Sequence, residues 1–488
     1  MQETHELKIG KKAFITTAAI TLSLMILSGI LTRIIPSGSY ERYTADGITV
    51  IKPHTFQYVE KVPLPVLRWF TAPLEVLFSE NAPVILVLVM LIVFIGGGYA
   101  ILNRVGVFEE IITKVVRRFG ARRYLLVCVV ALVFMFFGSF LGMFEEVVPL
   151  VPVVVLLSYT MGWDALLGLG MSLLSTCFGF SVAVSNPYSV GIAQRLAGLP
   201  VFSGLPFRLL IFAVLYALLS LFLVSYARRL DDDPRRSLVF EEDREMREKH
   251  APGSSTPAGS GLAGADTEKV RRATSWFLGC VGAILAVIVT ASLVEGFSDF
   301  SMPAIAVIYL VAGIGAGWRG GLTFRETVST FIKGVSGIAP GIVLILMAMS
   351  VNYIISRGGI MDTIIFRASS LISDEIPIIS SYIIYGLVLA LNFFIGSASA
   401  KAMLLIPIIT PLADLIGLTR QTMVQAFCFG DGFSNVLFPT NPVLLISLGL
   451  TTVNYVKWFR WIIVLQLLVL LVTALFLAAA VLTGYGPF

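Results

Sequence analysis

The chain has 488 residues, of which 57% are hydrophobic and 13% charged, with a formal net charge of +5. Because soluble globular proteins carry about 25% charged residues, this composition excludes a soluble multidomain protein and predicts an all-α polytopic membrane protein. The basic residues lie mostly between the apolar segments, where they suit an orientation signal, so nucleic acid is not an expected partner.

The first half of the chain, residues 1–227, contains two interrupted apolar segments among its predicted spans. The spans, each of about 20 apolar residues, are predicted near residues 13–35, 82–102 and 207–227. Residues 104–123 are basic and amphipathic and are predicted to form a helix on the cytoplasmic surface. Residues 124–158 are predicted as a re-entrant hairpin, with a kinked span as the alternative, and residues 165–196 as a broken helix.

The second half, residues 274–488, repeats this order after a linker. Residues 228–273 are predicted as a cytoplasmic flexible linker because they are densely charged and then rich in Gly, Ser, Ala and Pro. The elements predicted after it are spans near 276–293, 303–317, 338–355 and 461–482, a hairpin over 377–413 and a broken helix over 422–448.

The two broken helices carry the same motif. The first break, Ser185-Asn186-Pro187, and the second break, Thr440-Asn441-Pro442, are 255 residues apart, as are Pro152 and Pro407. Proline removes a backbone donor and disfavours a helical conformation at the residue before it. Two helix breaks in corresponding halves of a membrane chain predict a transporter with its binding site at the breaks.

The distribution of basic residues predicts that the halves have opposite orientations. With a cytoplasmic N-terminus and a hairpin in each half, residues 104–123 and the linker fall inside the cell. Residues 357–375, which correspond to 104–123 but have fewer basic residues, fall outside. The sequence therefore predicts inverted-topology repeats.

Five ionisable side chains interrupt the apolar pattern, namely Glu145, Glu146, Lys401, Asp414 and Asp431. A charge within a span costs about 2.5–3.5 kcal/mol on insertion scales, and Asp414 is expected at the membrane interface. Glu145 and Glu146 lie at the turn of the first hairpin (the first tip, residues 142–146), which begins at the predicted helix break Gly142. One glutamate can face a cavity for cation or proton binding while the other caps a helix, or both can have a structural role. Lys401 aligns with Glu146 at the 255-residue offset, so it either pairs with Glu146 or binds a substrate carboxylate.

The remaining candidate residues supply oxygen atoms. Asp431, Ser434 and Asn435 precede the second break and suit a sodium ion or a substrate ammonium group. The turn of the second hairpin (the second tip, residues 396–401) begins at the predicted helix break Gly396 and contributes Ser397 and Ser399. A sodium ion near Asn186 and Asn441 is a further expectation, since carbonyl groups freed at a helix break can bind cations.

Several of these motifs together resemble the YfcC-type carriers. They are Gly142-Met-Phe-Glu145-Glu146, Ser185-Asn186-Pro187, Phe393-Phe394-x-Gly-Ser397-x-Ser399-x-Lys401 and Phe429-Gly-Asp431-Gly-Phe-Ser434-Asn435. These carriers are related to anaerobic four-carbon dicarboxylate carriers and basic amino-acid antiporters of the ion transporter superfamily. The resemblance implies two re-entrant hairpins, elevator-type alternating access, a homodimer and a bacterial inner-membrane location.

The predicted function is secondary active transport of a small organic solute, most simply a basic amino acid exchanged as in arginine/ornithine antiport. The alternative is a dicarboxylate carrier coupled to Na+ or H+, and no cofactor is expected beyond such a coupling ion. An intramembrane protease is not expected, because the three histidines, His5, His54 and His250, all lie outside the apolar segments. A channel would differ in showing flux that neither saturates nor exchanges.

Overall fold

The computed structural model describes residues 11–45, 48–60, 64–79, 82–108, 110–111, 114, 122–246, 267–293, 298–372 and 376–486. The helices of the first half are Lys11–Ile34, Val66–Glu75, Ala82–Val105, Arg123–Phe136, Val151–Thr160, Ala165–Leu169, Ser175–Val182, Ile192–Leu196 and Leu205–Asp232. Those of the second half are Thr267–Leu293, Ser298–Arg319, Phe324–Arg357, Met361–Ile372, Pro377–Asn392, Ala398–Leu415, Arg420–Gly432, Pro442–Gly449 and Tyr455–Leu482.

Ten helical segments in the described part of the chain are long and apolar enough to cross a membrane. The span predicted over 82–102, for example, is the helix Ala82–Val105. Leu221, Val464 and Leu475 are among the large apolar side chains that these helices expose, as contact with lipid hydrocarbon requires. The prediction of an all-α, multi-pass membrane protein is confirmed.

The residues between the first two spans form two small antiparallel sheets that the sequence analysis did not predict. The paired strands are Gly38–Ser39 with Gln57–Tyr58 and Arg42–Ala45 with Ile48–Ile51. Asp362, in the second half, accepts a hydrogen bond from the backbone N–H of Tyr40 at 3.0 Å and pairs with Arg42 at 2.9 Å. This carboxylate therefore fastens the strand segment to the second half.

The first broken helix lies in the interior of the protein. The most apolar stretch of this segment is completely buried, whereas the most apolar stretch of each other span is only partly buried. The helix stops at Val182, Ala183 adopts a left-handed conformation with φ 51°, and helical structure resumes at Pro187. A left-handed alanine is strained, and such strain concentrates at functional sites.

The two breaks are built in the same way. Asn186 accepts hydrogen bonds through Oδ1 from the backbone N–H groups two and three residues further on, at 2.9 and 3.2 Å. Asn441 does the same at 2.9 and 3.3 Å, and the helix after it begins at Pro442. Asparagine as the cap and proline as the first helical residue together restart each helix after its break.

Each segment predicted as a hairpin consists of two helices joined by a turn at the predicted tip. In the first half, Arg123–Phe136 continues through a wider turn to Gly142, which has a φ of 69°, and Val151–Thr160 follows. In the second half the two helices are Pro377–Asn392 and Ala398–Leu415. Re-entry of these segments into the membrane stays a prediction.

Two glycines allow the first hairpin segment to cross the first broken helix at very short range. A Cβ atom on Gly179 would lie 1.9 Å from the carbonyl oxygen of Met135. One on Gly138 would lie 2.1 Å from the carbonyl oxygen of Thr176. Since no side-chain carbon fits at these distances, the crossing requires glycine on both helices.

Glycines also bring the two halves of the chain together. The first-half helix Ala82–Val105 packs against two second-half helices. A Cβ on Gly313 would lie 2.6 Å from the Cα of Gly98, and one on Gly334 would lie 2.3 Å from the carbonyl oxygen of Gly96. The halves are therefore interleaved.

The structure shortens the linker predicted over residues 228–273. The helix Leu205–Asp232 continues into it, and the segment up to residue 246 packs against the helices, with Val239 and Asp243 fully buried. At the other end, the helix Thr267–Leu293 has already begun. Residues 247–266 lie outside the described residues, as does half of the surface helix predicted over 104–123.

Asp243 is the main polar anchor of this packed segment. Its Oδ1 accepts hydrogen bonds from the hydroxyl groups of Tyr159, at 2.9 Å, and Thr452, and its Oδ2 accepts one from the backbone N–H of Ala165 at 2.7 Å. Burial raises the pKa of Asp243 to about 7, and repulsion from Asp164 contributes to the increase. The carboxyl group of Asp243 therefore binds its proton more tightly in the folded protein than in the unfolded chain.

We expect Asp243 to make the stability of the protein depend on pH. Since its folded pKa of about 7 lies above the unfolded value of 3.8, the free energy of unfolding should fall as the pH rises between these values and then level off. Thermal unfolding in detergent at about pH 5 to pH 8 should show this slope, and Asp243→Asn should flatten it. Asp232→Asn, at an exposed site, is the control that keeps the slope, and an unchanged slope in Asp243→Asn would contradict the prediction.

Candidate functional site

Both tips lie against the first break. Gly142 in the first tip lies against the first break, since a Cβ atom there would be 2.4 Å from Oδ1 of Asn186. Ser399 in the second tip donates its hydroxyl hydrogen to the carbonyl oxygen of Tyr188 at 3.1 Å, just after the same break. The fold thus brings together segments that are far apart in the sequence.

The first break contacts the first hairpin segment through backbone and side-chain hydrogen bonds. Ser185 donates from its backbone N–H to the carbonyl oxygen of Ser139 at 3.1 Å and from its hydroxyl group to that of Phe140 at 3.3 Å. Asn186 is fully buried, and its Nδ2 has no hydrogen-bond partner among the described residues. Because buried donors are normally paired, this amide is free to bind a ligand oxygen.

Arg208, which the sequence analysis did not identify, donates hydrogen bonds to backbone carbonyl groups at and near the first break. Its side chain is 1% exposed and donates hydrogen bonds to the carbonyl oxygens of Val184 and Phe202, each at 3.0 Å. It also contacts the hydroxyl group of Tyr485 at 3.4 Å. A carbonyl group freed by the helix break is thereby paired, as a buried acceptor requires.

A buried ion pair joins the second tip to the second broken helix. Nζ of Lys401 lies 2.5 Å from Oδ1 of Asp431, with the side chains 0% and 1% exposed, and Lys401 also donates to Oδ1 of Asn392. Oδ1 of Asp431 is engaged by this ammonium group, whereas Oδ2 has no hydrogen-bond partner among the described residues. The alternative pairing of Lys401 with Glu146 is not formed, because the second tip packs along the second broken helix.

An amide and hydroxyl network continues from this ion pair to the second break. Nδ2 of Asn392 donates to Oγ of Ser434 at 2.7 Å and to Oδ1 of Asn435 at 2.9 Å. Nδ2 of Asn441 donates to the same Asn435 oxygen at 3.0 Å. Asn392 was missed in the sequence, where the only signal is an amide at the end of an apolar run.

The two glutamates of the first tip have different surroundings. Glu146 is buried, and its Oε2 accepts a hydrogen bond from the backbone N–H of Phe144 at 3.1 Å, while Oε1 lies 3.5 Å from the hydroxyl group of Ser301. Glu145 is half-buried and is repelled by Glu146 and by Asp431, so the three carboxylates share one region. Within the described ranges, neither glutamate has an ion-pair partner.

The other predicted residues lie at the edges of this cluster. Ser397 caps the helix of the second tip, because its Oγ accepts a hydrogen bond from the backbone N–H of Ala400 at 3.3 Å. Gly396 lies in the exposed turn before it, and nothing lies within 4 Å of the position that a Cβ atom would take there. Thr440 is half-buried in the turn before Asn441.

Sodium was predicted near the asparagines of the two breaks, whose side-chain oxygens are already engaged. Oδ1 of Asn186 and Oδ1 of Asn441 both accept backbone hydrogen bonds, so an ion near them would depend on carbonyl groups. In the described part of the chain, no three His, Cys, Asp or Glu residues are grouped as a metal site. The sodium site stays a prediction.

The model of the C4-dicarboxylate anaerobic carrier family, DcuC, matches residues 14–482. A protein of Escherichia coli strain K12 named "Putative basic amino acid antiporter YfcC" is 27% identical and covers 96% of this chain and 96% of its own. An uncharacterized protein of Haemophilus influenzae is 24% identical over 93% of this chain and 94% of its own. The resemblance predicted from the motifs is confirmed.

Among solved structures, the YdaH transporter of Alcanivorax borkumensis, described as having an unusual topology, aligns with 97% of this chain and all of its own. The sequence identity is 18% and the TM-score is 0.41.

Proposed function

We propose that this chain, which belongs to the C4-dicarboxylate anaerobic carrier family, exchanges cationic amino acids of the arginine and ornithine type across a membrane. The family and the membrane-spanning helices establish a membrane transporter. The observation that carries the choice of substrate is the buried carboxylate of Glu146, which has no cationic partner among the described residues.

The charges at the site favour a cationic substrate. Lys401 is neutralised by Asp431, which leaves Glu145 and Glu146 uncompensated. A buried charge without a partner is unfavourable, so a guanidinium or ammonium group would stabilise the site. A dicarboxylate would instead add two negative charges beside the glutamates.

The same charge argument supports exchange over one-way transport. If the empty site carries uncompensated negative charge, moving it through a low-dielectric membrane is unfavourable. A bound cation offsets part of this charge, so the loaded form changes its orientation more readily than the empty form. Such a carrier returns mainly with a substrate bound, and the exchange needs no Na+ or H+.

The remaining parts of the proposal come from the family resemblance and the distribution of charge. The E. coli relative is named for basic amino-acid antiport, which agrees with the acidic site. Elevator-type movement, a homodimer and a bacterial inner-membrane location are parts of the proposal that the resemblance implies. A cytoplasmic N-terminus is inferred from the basic residues near the ends of the spans.

Counterflow in proteoliposomes tests the proposal. Vesicles loaded with arginine or ornithine are expected to take up labelled arginine without an ion gradient. Glu146→Gln should lower the exchange rate roughly tenfold or more, because a hydrogen bond to a charged group contributes about 1.5–3 kcal/mol. Glu41→Gln, an exposed glutamate paired with Lys52 at 3.3 Å, is the matched control that should exchange normally.

Two outcomes would contradict the proposal. Unchanged exchange in Glu145→Gln, Glu146→Gln and Asp431→Asn would remove the site assignment. Uptake of succinate driven by Na+ or H+, with no exchange of arginine, would establish the second candidate, a dicarboxylate carrier. The family description favours that candidate, and under it Lys401→Ala should abolish transport because Lys401 would bind a carboxylate.

A further inference from the structure

We propose that the Lys401–Asp431 ion pair is the subsite for the α-carboxylate and α-ammonium groups of the amino acid, which replace the internal pair when the substrate binds. This inference rests on the proposed function and assigns separate roles to the charged groups of the site. Lys401 and Asp431 bind the part that all α-amino acids share, and the first tip binds the cationic side chain.

The hydrogen bonding of Asp431 carries this inference. Asp431 is fully buried, its Oδ1 is engaged by Nζ of Lys401, and its Oδ2 has no hydrogen-bond partner among the described residues. A buried carboxylate that serves only the fold normally accepts hydrogen bonds from several donors. Asp431 instead has the ionic contact with Lys401 and open acceptor positions, as a group that binds a ligand ammonium would.

An α-amino acid is complementary to this pair because it carries the same two charges. Its carboxylate would pair with Lys401 and its ammonium group with Asp431, so the sum of the charges at the subsite does not change. Lys401 already contacts the amide oxygen of Asn392, which holds the ammonium end in place while its anionic partner is exchanged. The new ion pairs compensate for the loss of the internal one.

A second unpaired group points to the same ligand. Nδ2 of Asn186 is buried without a partner among the described residues, and its side chain lies against Gly142 in the first tip. A ligand oxygen would satisfy this donor. Asn186 and Asp431 are thus buried polar side chains with unused hydrogen-bonding capacity, one at each broken helix.

The position of the first tip sets the requirement for the substrate side chain. Glu145 is close enough to Asp431 to be repelled by it, and Glu146 lies beside Glu145. An amino acid bound by its α-groups at the ion pair would therefore extend its side chain toward these carboxylates. The pair selects an α-amino acid, and the glutamates select a cation at the end of its side chain.

Competition by three ligands tests the proposal on the wild-type protein. Labelled arginine counterflow is measured against L-arginine, agmatine, which lacks the carboxylate, and 5-guanidinopentanoate, which lacks the ammonium group. Each analogue should compete at least ~10-fold more weakly than arginine, because each leaves one buried charge of the pair unsatisfied. Agmatine should compete more weakly than arginine although it carries more positive charge. If only the acidic first tip bound the substrate, the more positively charged agmatine would bind better.

Variants then assign each group to its partner. In Lys401→Gln the affinities for arginine and agmatine should converge, because arginine loses the partner of its carboxylate and agmatine no longer leaves a buried ammonium group unpaired. In Asp431→Asn the same convergence is expected with 5-guanidinopentanoate. Equal competition by arginine and agmatine in the wild type would overturn the proposal and show that the ion pair is only a structural contact. An equal loss of affinity for arginine and for agmatine in Lys401→Gln would overturn it as well. Absence of competition by arginine itself would instead contradict the proposed function.

Discussion

Asp431→Ala is expected to destabilise the folded protein by about 3–5 kcal/mol, because it leaves the ammonium group of Lys401 buried without a counter-ion. The two side chains are almost completely buried and lie 2.5 Å apart, so water cannot solvate the remaining charge. Thermal unfolding of the detergent-purified protein, followed by size-exclusion chromatography, measures this loss. Most of the variant should aggregate at temperatures at which the wild type is monodisperse.

A double variant separates the stability of this pair from its role in binding. Lys401→Met with Asp431→Leu removes both charges, and such apolar replacements of a buried ion pair are often neutral in stability. We therefore expect this variant to fold like the wild type and to lose exchange. Asp414→Asn is the control for a half-exposed pair, since Asp414 contacts Arg420 at 2.7 Å in partial contact with solvent and should contribute at most about 1 kcal/mol.

These outcomes can fail in a defined way. If Asp431→Ala unfolds at the wild-type temperature, Lys401 is not buried as a charge in the folded protein. If the double variant exchanges arginine normally, neither charge of the pair takes part in transport.

Gly179→Ala is expected to prevent correct assembly of the first half. The added methyl group would lie 1.9 Å from the carbonyl oxygen of Met135, and a backbone atom cannot move aside as a side chain does. The first hairpin segment and the first broken helix would have to separate, which would displace the first tip from Asn186. The expected result is a low yield of folded protein in a fluorescence-monitored purification.

Gly386→Ala is the matched control for this substitution. Gly386 lies in the helix Pro377–Asn392, and nothing lies within 4 Å of the position of its Cβ atom. Alanine there should leave the yield unchanged and stabilise the helix by up to about 1 kcal/mol. Normal folding of Gly179→Ala would show that the two helices do not cross at the distance seen here.

The helix breaks could be predicted from the sequence because they depend on local chemistry. Asparagine followed by proline caps and starts a helix whatever surrounds it, so Asn186-Pro187 and Asn441-Pro442 are recognisable without any tertiary structure. Their repetition at a fixed offset also indicated that they belong to one architecture. The membrane spans could also be predicted from local sequence, because a membrane requires each spanning segment to be apolar by itself.

The partners of the charged residues could not be predicted in this way. The repeat aligns Lys401 with Glu146, but equivalent positions in two repeats need not be in contact, and packing placed Asp431 nearest instead. Arg208 pairs with a carbonyl group 24 residues earlier in the chain, which only the folded structure shows. Asp243 was assigned to a flexible linker because its neighbours in sequence are charged, whereas its contacts come from distant helices.

The interleaving of the two halves has a consequence for the continuity of the polypeptide. Gly98 and Gly96 hold first-half backbone directly against Gly313 and Gly334, and Tyr485 near the C-terminus donates a hydrogen bond to the carbonyl oxygen of Gly204 at 2.7 Å. These contacts do not involve the connection between residues 246 and 267. If the chain were divided within that connection, the two resulting polypeptides would still form every contact described for the site. The two halves therefore relate to each other as the subunits of a heterodimer do, although one chain contains both.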